Sequence, residues 1–353
     1  MSGLQIPHFG LQRQYNNLKA ELLFATDQVL RSGCLIGGHY TNKFEQWLKD
    51  YTGAQYALTV HSGTQALEML AKFHYLDIHP LEFDIRPKIY IPNISYPATL
   101  NAFINTGWDI ELCDTDSNGL INMSNTDSSS YKCFVGLYGA PQTYDITSGM
   151  IVDGAQHWIV ADGNIGEGMA ISFDPTKNLN ASGNGGAIVT NNETLYEFAK
   201  RYRDNDKGYN EYPGTNSKMS ELDCAHILVR AQYLNDWQRR REVTRLYYLD
   251  QFKNLPIKCL SAGFRTHADQ KFVIYSEQRD QLKNYLTSKR IETKIHYERA
   301  LSELPVAKHY VKPTMLATSV FLTRGVLSIP IYPELTDGEI EYIVQSVLEF
   351  FAK

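Results

Sequence analysis

Met150-Ile-Val-Asp-Gly-Ala-Gln156, then Met169-Ala-Ile-Ser-Phe-Asp-Pro-Thr-Lys-Asn-Leu179, then Gly183-Asn-Gly-Gly-Ala-Ile-Val-Thr190: the fold turns on this stretch. Two short apolar runs, 150–152 and 169–173, each end in polar residues. Buried strands deliver side chains to a site at a sheet edge in this way. Asp153 follows the first strand and Lys177 the second. A carboxylate and a lysine so placed can flank one small ligand. If that ligand is pyridoxal phosphate, Lys177 forms its Schiff base and Asp153 pairs with the ring nitrogen. Taken singly the two residues are ordinary. A loop lysine is usually solvated, and an Asp after a strand is usually a cap or turn former.

Upstream, Tyr56–Val60 reads as a strand that runs through Ser62-Gly63-Thr64 into a helix ending near Leu76. Free amides and the helix dipole make such a turn a phosphate cradle, although Ser62 or Thr64 could equally be a plain N-cap. Lys88–Pro92 is the next strand, and Tyr96 lies in the turn after it. An aromatic ring there either stacks on a planar ligand or packs in the core. Further strands are expected at 109–114, 133–138 and 187–190, with helices at 15–31, 41–51 and 97–106. Strands alternating with helices indicate an α/β domain with a mostly parallel sheet.

Asn191–Asp206 is expected as a helix with an Asn cap. Residues 219–254 keep helical periodicity for too long to be one straight rod, so a bend or break is expected there. Past Pro256 the character changes. Strands at 271–275, 293–296 and 326–331, with helices at 278–289 and 337–351, form a small α+β unit. The expected division is a large α/β domain over 1–245 and a small C-terminal α+β domain over 246–353.

The 353 residues are 43% hydrophobic and 21% charged, with a net charge of −5. That excludes a nucleic-acid footprint. No run approaches the roughly 20 apolar residues of a membrane span, and the N-terminus lacks a signal-peptide pattern. Cysteines 34, 113, 133, 224 and 259 are widely spaced with no Cys-x-x-Cys pair, against both a disulfide framework and a zinc site. No metal is expected, and a cytoplasmic location is.

A set of motifs completes the pattern: Gly38 to Glu45, Ser62-Gly63-Thr64-Gln65-Ala66-Leu67, Pro92 through Asn101, Leu137-Tyr138-Gly139, Asp153 to Gln156, Ser172-Phe173 with Thr176-Lys177-Asn178, Gly185-Gly186-Ala187, Asn216 with Met219-Ser220-Glu221, His296-Tyr297 and Leu327 to Pro330. In this order they resemble the DegT/DnrJ/EryC1/StrS sugar aminotransferases, fold-type-I pyridoxal phosphate enzymes, over nearly the whole chain. The resemblance implies that Lys177 holds the cofactor covalently and that Asp153 pairs with its pyridinium. It places Gln156 beside the ring and its 3-hydroxyl, Tyr96 stacked on the ring, and Gly63, Thr64 and Ser172 around the phosphate. Asn216 would reach the phosphate of a neighbouring subunit's cofactor, so the active unit would be a homodimer. His296 and Tyr297 would contact the sugar nucleotide. Asn184, Lys218 and His157-Trp158 depart from the family pattern, which bears on the substrate pocket.

The activity so implied moves nitrogen from L-glutamate to a keto sugar on a nucleoside diphosphate. A 4-keto-6-deoxyhexose, giving a 4-amino sugar for glycan biosynthesis, is expected first, and a 3-keto sugar second. Lys177 argues against the dehydratases that carry histidine there, and the intact Asp153, Gln156, Lys177 set against a non-catalytic sensor. Gly163, Gly166 and Gly168 do not form a nicotinamide-binding turn.

Overall fold

The computed structural model describes residues 5–78, 86–141, 149–312 and 315–352. Its main sheet contains β1 (Tyr56–Val60), β2 (Lys88–Pro92), β3 (Asp109–Cys113), β4 (Tyr131–Val135), β5 (Met150–Asp153), β6 (Gly168–Ser172) and β7 (Gly186–Thr190). The strand order is β1-β7-β6-β5-β4-β2-β3. Every pairing is parallel except the two made by β7. Because β7 is antiparallel to both neighbours, β1 runs in the same direction as β4, β5 and β6. Their C-terminal ends therefore open on one edge, where α/β sheets bind ligands.

Helices α1 (Leu11–Ser32), α2 (His39–Thr52), α3 (Gly63–Ile78), α4 (Pro97–Thr106), α5 (Glu193–Tyr202) and α6 (Glu221–Ala231) surround this sheet. One face packs Ile89, Ile91 and Val135 against Leu70 of α3, Phe103 of α4 and Leu195 of α5. The other packs Phe134, Val152 and Ile171 against Phe44 and Leu48 of α2 and Ile227 of α6. Both faces are covered, which is why the strands read as near-continuous apolar runs.

A second sheet, antiparallel, comprises β8 (Lys258–Cys259), β9 (Phe272–Tyr275) and β10 (Val326–Ile329) in the order β10-β9-β8. Around it lie α7 (Leu234–Phe252), α8 (Arg279–Ser288), the short α9 (Ala307–Tyr310), α10 (Ala317–Gly325) and α11 (Asp337–Phe351). Tyr248, Phe252, Leu286, Ile329, Ile343 and Val347 fill its core, and Ile6 from the other end of the chain joins them. A capping box opens α11: Thr336 Oγ1 accepts from the Glu339 N–H at 3.2 Å, and Glu339 Oε2 accepts from the Thr336 N–H at 3.0 Å.

The structure bears out the break expected in 219–254 and corrects several other sequence expectations. The run is two helices, α6 and α7, separated at Gln232-Tyr233 without Pro or Gly. Tyr233 is held there by Glu21, to which its hydroxyl donates at 2.8 Å. Residues 293–296 are not a strand. Only Lys294 pairs, as an isolated bridge to Ser328, while His296 turns its ring onto the Ser328 hydroxyl at 2.8 Å. The helix expected over 191–206 spans only α5. Asn192 caps it, accepting from Leu195 N–H at 3.0 Å. It ends where Asp206 gathers Arg201 and the amides of Glu211 and Tyr212. The last strand stops at Ile329, before Pro330. All five cysteines are free thiols. Among the described residues no helix is long and apolar enough to cross a membrane, and no cluster of side chains could hold a metal ion.

Candidate active site

A cavity of about 320 Å³ lies where the C-terminal ends of β1, β5 and β6 meet the second sheet. It brings together Gly63, Thr64, Tyr96, Asp153, Gln156, Ser172, Lys177, His296 and Tyr297. Asn216 is not among its lining residues. It is exposed, on the loop that pairs with Asp204.

The cradle at one end is built from the start of α3. Ser62 Oγ accepts from the Gln65 N–H at 3.2 Å, and the Ser62 carbonyl accepts from Ala66. The first-turn amides of Gly63 and Thr64 have no partner within the helix and lie at the cavity wall. A Cβ added to Gly63 would sit 2.7 Å from Ser172 Cβ and 3.1 Å from Ser172 Cα. Glycine is thus what lets α3 approach the end of β6. An anion between these amides and Ser172 gains the helix N-terminal dipole.

Asp153, the last residue of β5, is buried and rigidly held. Its Oδ2 accepts from the Thr99 hydroxyl at 2.8 Å and its Oδ1 from the Ala155 N–H at 3.1 Å. Thr99 Oγ1 also contacts Ser95 Oγ at 2.6 Å. Burial pushes the Asp153 carboxyl up, against the opposing effects of Thr99, Ala155 and Lys177. A cation facing it would restore the ionised form. Gln156 Oε1 accepts from the Tyr138 N–H at 2.8 Å, and its Nε2 donates to Tyr297 Oη at 3.3 Å. The Tyr138 hydroxyl donates to the His296 carbonyl, so the first sheet's turn and the 296–297 segment form one hydrogen-bonded wall. Tyr96 caps α4, is 59% exposed, and has its ring 6.2 Å from that of Tyr297.

Lys177 projects from the turn after β6, where its N–H donates to the Asp174 carbonyl at 2.9 Å. Burial lowers its pKa, and the carboxylates of Asp153 and Asp174 partly oppose this. A lowered value enlarges the fraction of neutral amine, the form that attacks carbonyls and accepts protons. His296 is pushed down to about 2, by burial and then by Lys271, so it is a neutral ring here.

The residues present fit pyridoxal phosphate: an anion cradle, an apolar-to-polar slot, a buried carboxylate and a lysine in one cavity. Sequence reasoning missed Thr99, which orients Asp153, as well as Asp174 and Lys271, which line the cavity. Lys271 stands at the head of an apolar run, where a lysine reads as the strand's solvated end, so the sequence carried no signal for it. The departures from the family pattern fall unequally. Asn184 lines the cavity. Lys218 forms an ion pair with Asp204. His157 and Trp158 do not line the cavity: His157 packs on Phe134, and Trp158 on Tyr51 and Phe173.

Fold and site together define a fold-type-I pyridoxal phosphate enzyme. The chain belongs to the DegT/DnrJ/EryC1/StrS aminotransferase family, whose profile matches residues 16–127 and 154–348. It is 28% identical to the dTDP-3-amino-3,6-dideoxy-alpha-D-galactopyranose transaminase of Aneurinibacillus thermoaerophilus, over 97% of this chain and 98% of that one. It is also 28% identical to the dTDP-3-amino-3,4,6-trideoxy-alpha-D-glucose transaminase of Streptomyces venezuelae, over 98% and 96%. Among solved structures, S. venezuelae DesV in complex with a ketimine intermediate matches at a TM-score of 0.90 and 25% identity, covering 99% of this chain and all of that one. The protein is a pyridoxal phosphate-dependent aminotransferase.

Proposed function

We propose that this aminotransferase moves an amino group from L-glutamate to a keto-deoxy sugar linked to a nucleoside diphosphate, in glycan biosynthesis. The observation that carries the reading is Lys177 and Asp153 in one cavity beside the amides of Gly63 and Thr64. The names of the relatives supply the substrate class. For the ring position, the sequence favours C4 through the family resemblance. Two relatives named for 3-amino sugars support C3 no less. The retained lysine, carboxylate and glutamine oppose a non-catalytic sensor.

The cofactor, when bound, supplies an electron sink for the carbanion formed at the amino-bearing carbon. The chain supplies the rest. Lys177 binds the cofactor and carries the proton to and from that carbon. Asp153, oriented by Thr99, keeps a proton on the ring nitrogen. The amides of Gly63 and Thr64, with Ser172, hold the phosphate. Gln156 and Tyr96 fix the ring, and His296 and Tyr297 face the sugar nucleotide. We assign these tasks to one large unit, 1–245, and a smaller one, 246–353.

Asn216 has its role across a homodimer in this reading, which its exposed position outside its own chain's cavity supports. The apolar residues Leu23, Phe24 and Leu30, exposed along α1, offer contact surface for a second copy. A cytoplasmic setting suits the free thiols.

The test is spectroscopic. The protein loaded with pyridoxal phosphate should be yellow, and L-glutamate should bleach it. Nucleotide-linked 3-keto and 4-keto sugars are then compared for restoring the colour, with the aminated carbon assigned by NMR. A colour that L-glutamate leaves untouched refutes the donor. Restoration by neither sugar refutes the acceptor class.

A further inference from the structure

Lys271 precedes β9 and belongs to the second sheet's side of the cavity, facing the wall that carries Lys177. It is 5% exposed. Among the described residues its ammonium has one partner, the neutral amide oxygen Oε1 of Gln270. Gln270 is itself fixed, because its Nε2 donates to the Thr176 carbonyl at 3.0 Å. Thr176 immediately precedes Lys177, so Gln270 ties the Lys271 ammonium to the turn that carries Lys177. The Lys271 N–H donates to the Tyr138 carbonyl at 3.1 Å, which anchors its backbone to the other wall.

A buried ammonium held by one neutral acceptor leaves donors unfilled. Such a group is costly unless a ligand completes it. The nearby acid does not. Asp174 Oδ1 accepts from the Thr176 N–H at 2.9 Å and from the Thr176 hydroxyl at 2.6 Å, and no ion pair joins it to Lys271. Burial, and then the positive charge of Lys177, hold the Lys271 pKa well down against the opposing pull of Asp174, and an anion bound beside it would restore the charged form.

The chemistry of the substrates selects the missing anion. Lys177 must reach the carbon that carries the donor's amino group. An amino acid's α-carboxylate is bonded directly to that carbon. The diphosphate of a nucleotide sugar is several bonds from the carbon that reacts, and the cofactor phosphate has its own cradle at α3. A cation on the cavity wall tied to the Lys177 turn is therefore placed for the α-carboxylate.

We propose that Lys271 is the binding residue for the α-carboxylate of the amino-acid donor, held in place by Gln270. The inference rests on the aminotransferase reading with an α-amino acid as donor.

The experiment uses the cofactor-loaded full chain, with L-glutamate and its α-amide (L-isoglutamine) as probes, in the wild type and in Lys271→Met and Lys271→Gln. A charge-assisted hydrogen bond corresponds to roughly 10- to 150-fold in affinity. The wild type should be half-bleached by L-glutamate at a concentration at least roughly 10-fold below that needed for the α-amide. In both variants the preference should collapse, while the yellow colour still forms and the nucleotide keto sugar still restores it after bleaching. Calorimetry adds a readout independent of turnover: glutarate should bind the loaded wild type and lose at least roughly 10-fold in affinity in the variants. A wild type that treats glutamate and the α-amide alike overturns the assignment without any variant. So do variants that keep the preference, or that lose the sugar response instead. If another amino acid, and not L-glutamate, bleaches the loaded wild type, the glutamate donor is refuted, and the same comparison made with that amino acid and its α-amide supports Lys271 if the α-amide is at least roughly 10-fold weaker and overturns it if the two act alike. No yellow colour at all removes the functional reading itself.

Discussion

Thr99→Val offers the sharpest test of how the site is tuned. Thr99 is fully buried, and valine fills the same space without the hydroxyl. The change deletes the 2.8 Å bond to Asp153 Oδ2 and leaves the carboxylate only the Ala155 amide among its described partners. A hydrogen bond to a charged group contributes about 1.5–3 kcal/mol. One pKa unit corresponds to about 1.36 kcal/mol. The Asp153 carboxyl should therefore rise by about 1–2 units. The sign follows from the geometry: Thr99 stabilises the ionised form, so its loss favours protonation, and the acid limb of kcat/KM moves to higher pH. In the cofactor-free protein the same substitution costs stability at neutral pH. That cost fades as pH falls through the raised folded-state value. The assay is a kcat/KM profile across the acid side for wild type, Thr99→Val, Asp153→Asn and Thr106→Val. Thr106 is the control, because its hydroxyl bonds the Ala102 carbonyl on the same helix and no carboxylate. An acid limb that stays in place in Thr99→Val, or moves equally in Thr106→Val, would refute the reasoning.

Lys177→Ala should abolish turnover while leaving the thermal unfolding midpoint of the cofactor-free protein within a few degrees of wild type, since the side chain makes no hydrogen bond among the described residues; a calorimetric scan beside the glutamate bleaching assay checks both. Gly63→Ala should weaken cofactor binding by about 1–3 kcal/mol, the usual cost of overpacking, because its Cβ meets Ser172 at 2.7 Å. Gly183→Ala, whose Cβ has no neighbour closer than 3.8 Å, should bind as wild type in the same fluorescence titration. Asp174→Asn keeps an acceptor for Thr176 but removes a charge that raises the Lys177 pKa. The pH profile for development of yellow colour on adding pyridoxal phosphate should move to lower pH. A profile that stays put or moves up counts against that electrostatic assignment.

Much of this site could be read from residues alone because its parts obey local rules. The strands at 150–153 and 168–172 are short apolar runs that end in polar residues. Ser62-Gly63-Thr64 sits between a strand and a helix. Thr99 was not legible for the opposite reason. Nothing in the spacing of α4 tells which face of its first turn meets the end of β5. The segment 293–296 misled because Thr-Lys-Ile-His alternates like a half-buried strand. Pairing is a property of two segments, and only Lys294 finds a partner. The length of the run 219–254 called for a break, but its position was not legible, since Gln232-Tyr233 carries neither Pro nor Gly.

Lys271 escaped for a reason that also bears on the mechanism. At the start of an apolar strand a lysine reads as the strand's solvated end. Only the packing of the second sheet against the first shows that this end is buried. The contacts that bury it are the ones that fix the Lys177 turn. Asn178 Nδ2 donates to the Ala268 carbonyl, and Gln270 Nε2 to the Thr176 carbonyl, so each side of Lys177 is tied to residues 268–270. The reactive lysine thus follows a strand of the first sheet and is held in register by residues that lead into the second. The electrostatics divide the same way. Asp153 and Asp174 come from the first sheet's edge, and Lys271 and the neutral His296 from the second. A donor whose carboxylate engages Lys271 would therefore bridge the two sheets' sides of the cavity at the carbon where Lys177 must act. Donor binding and alignment for proton transfer would then be one event, because the groups that recognise the donor are bonded to the turn that does the chemistry.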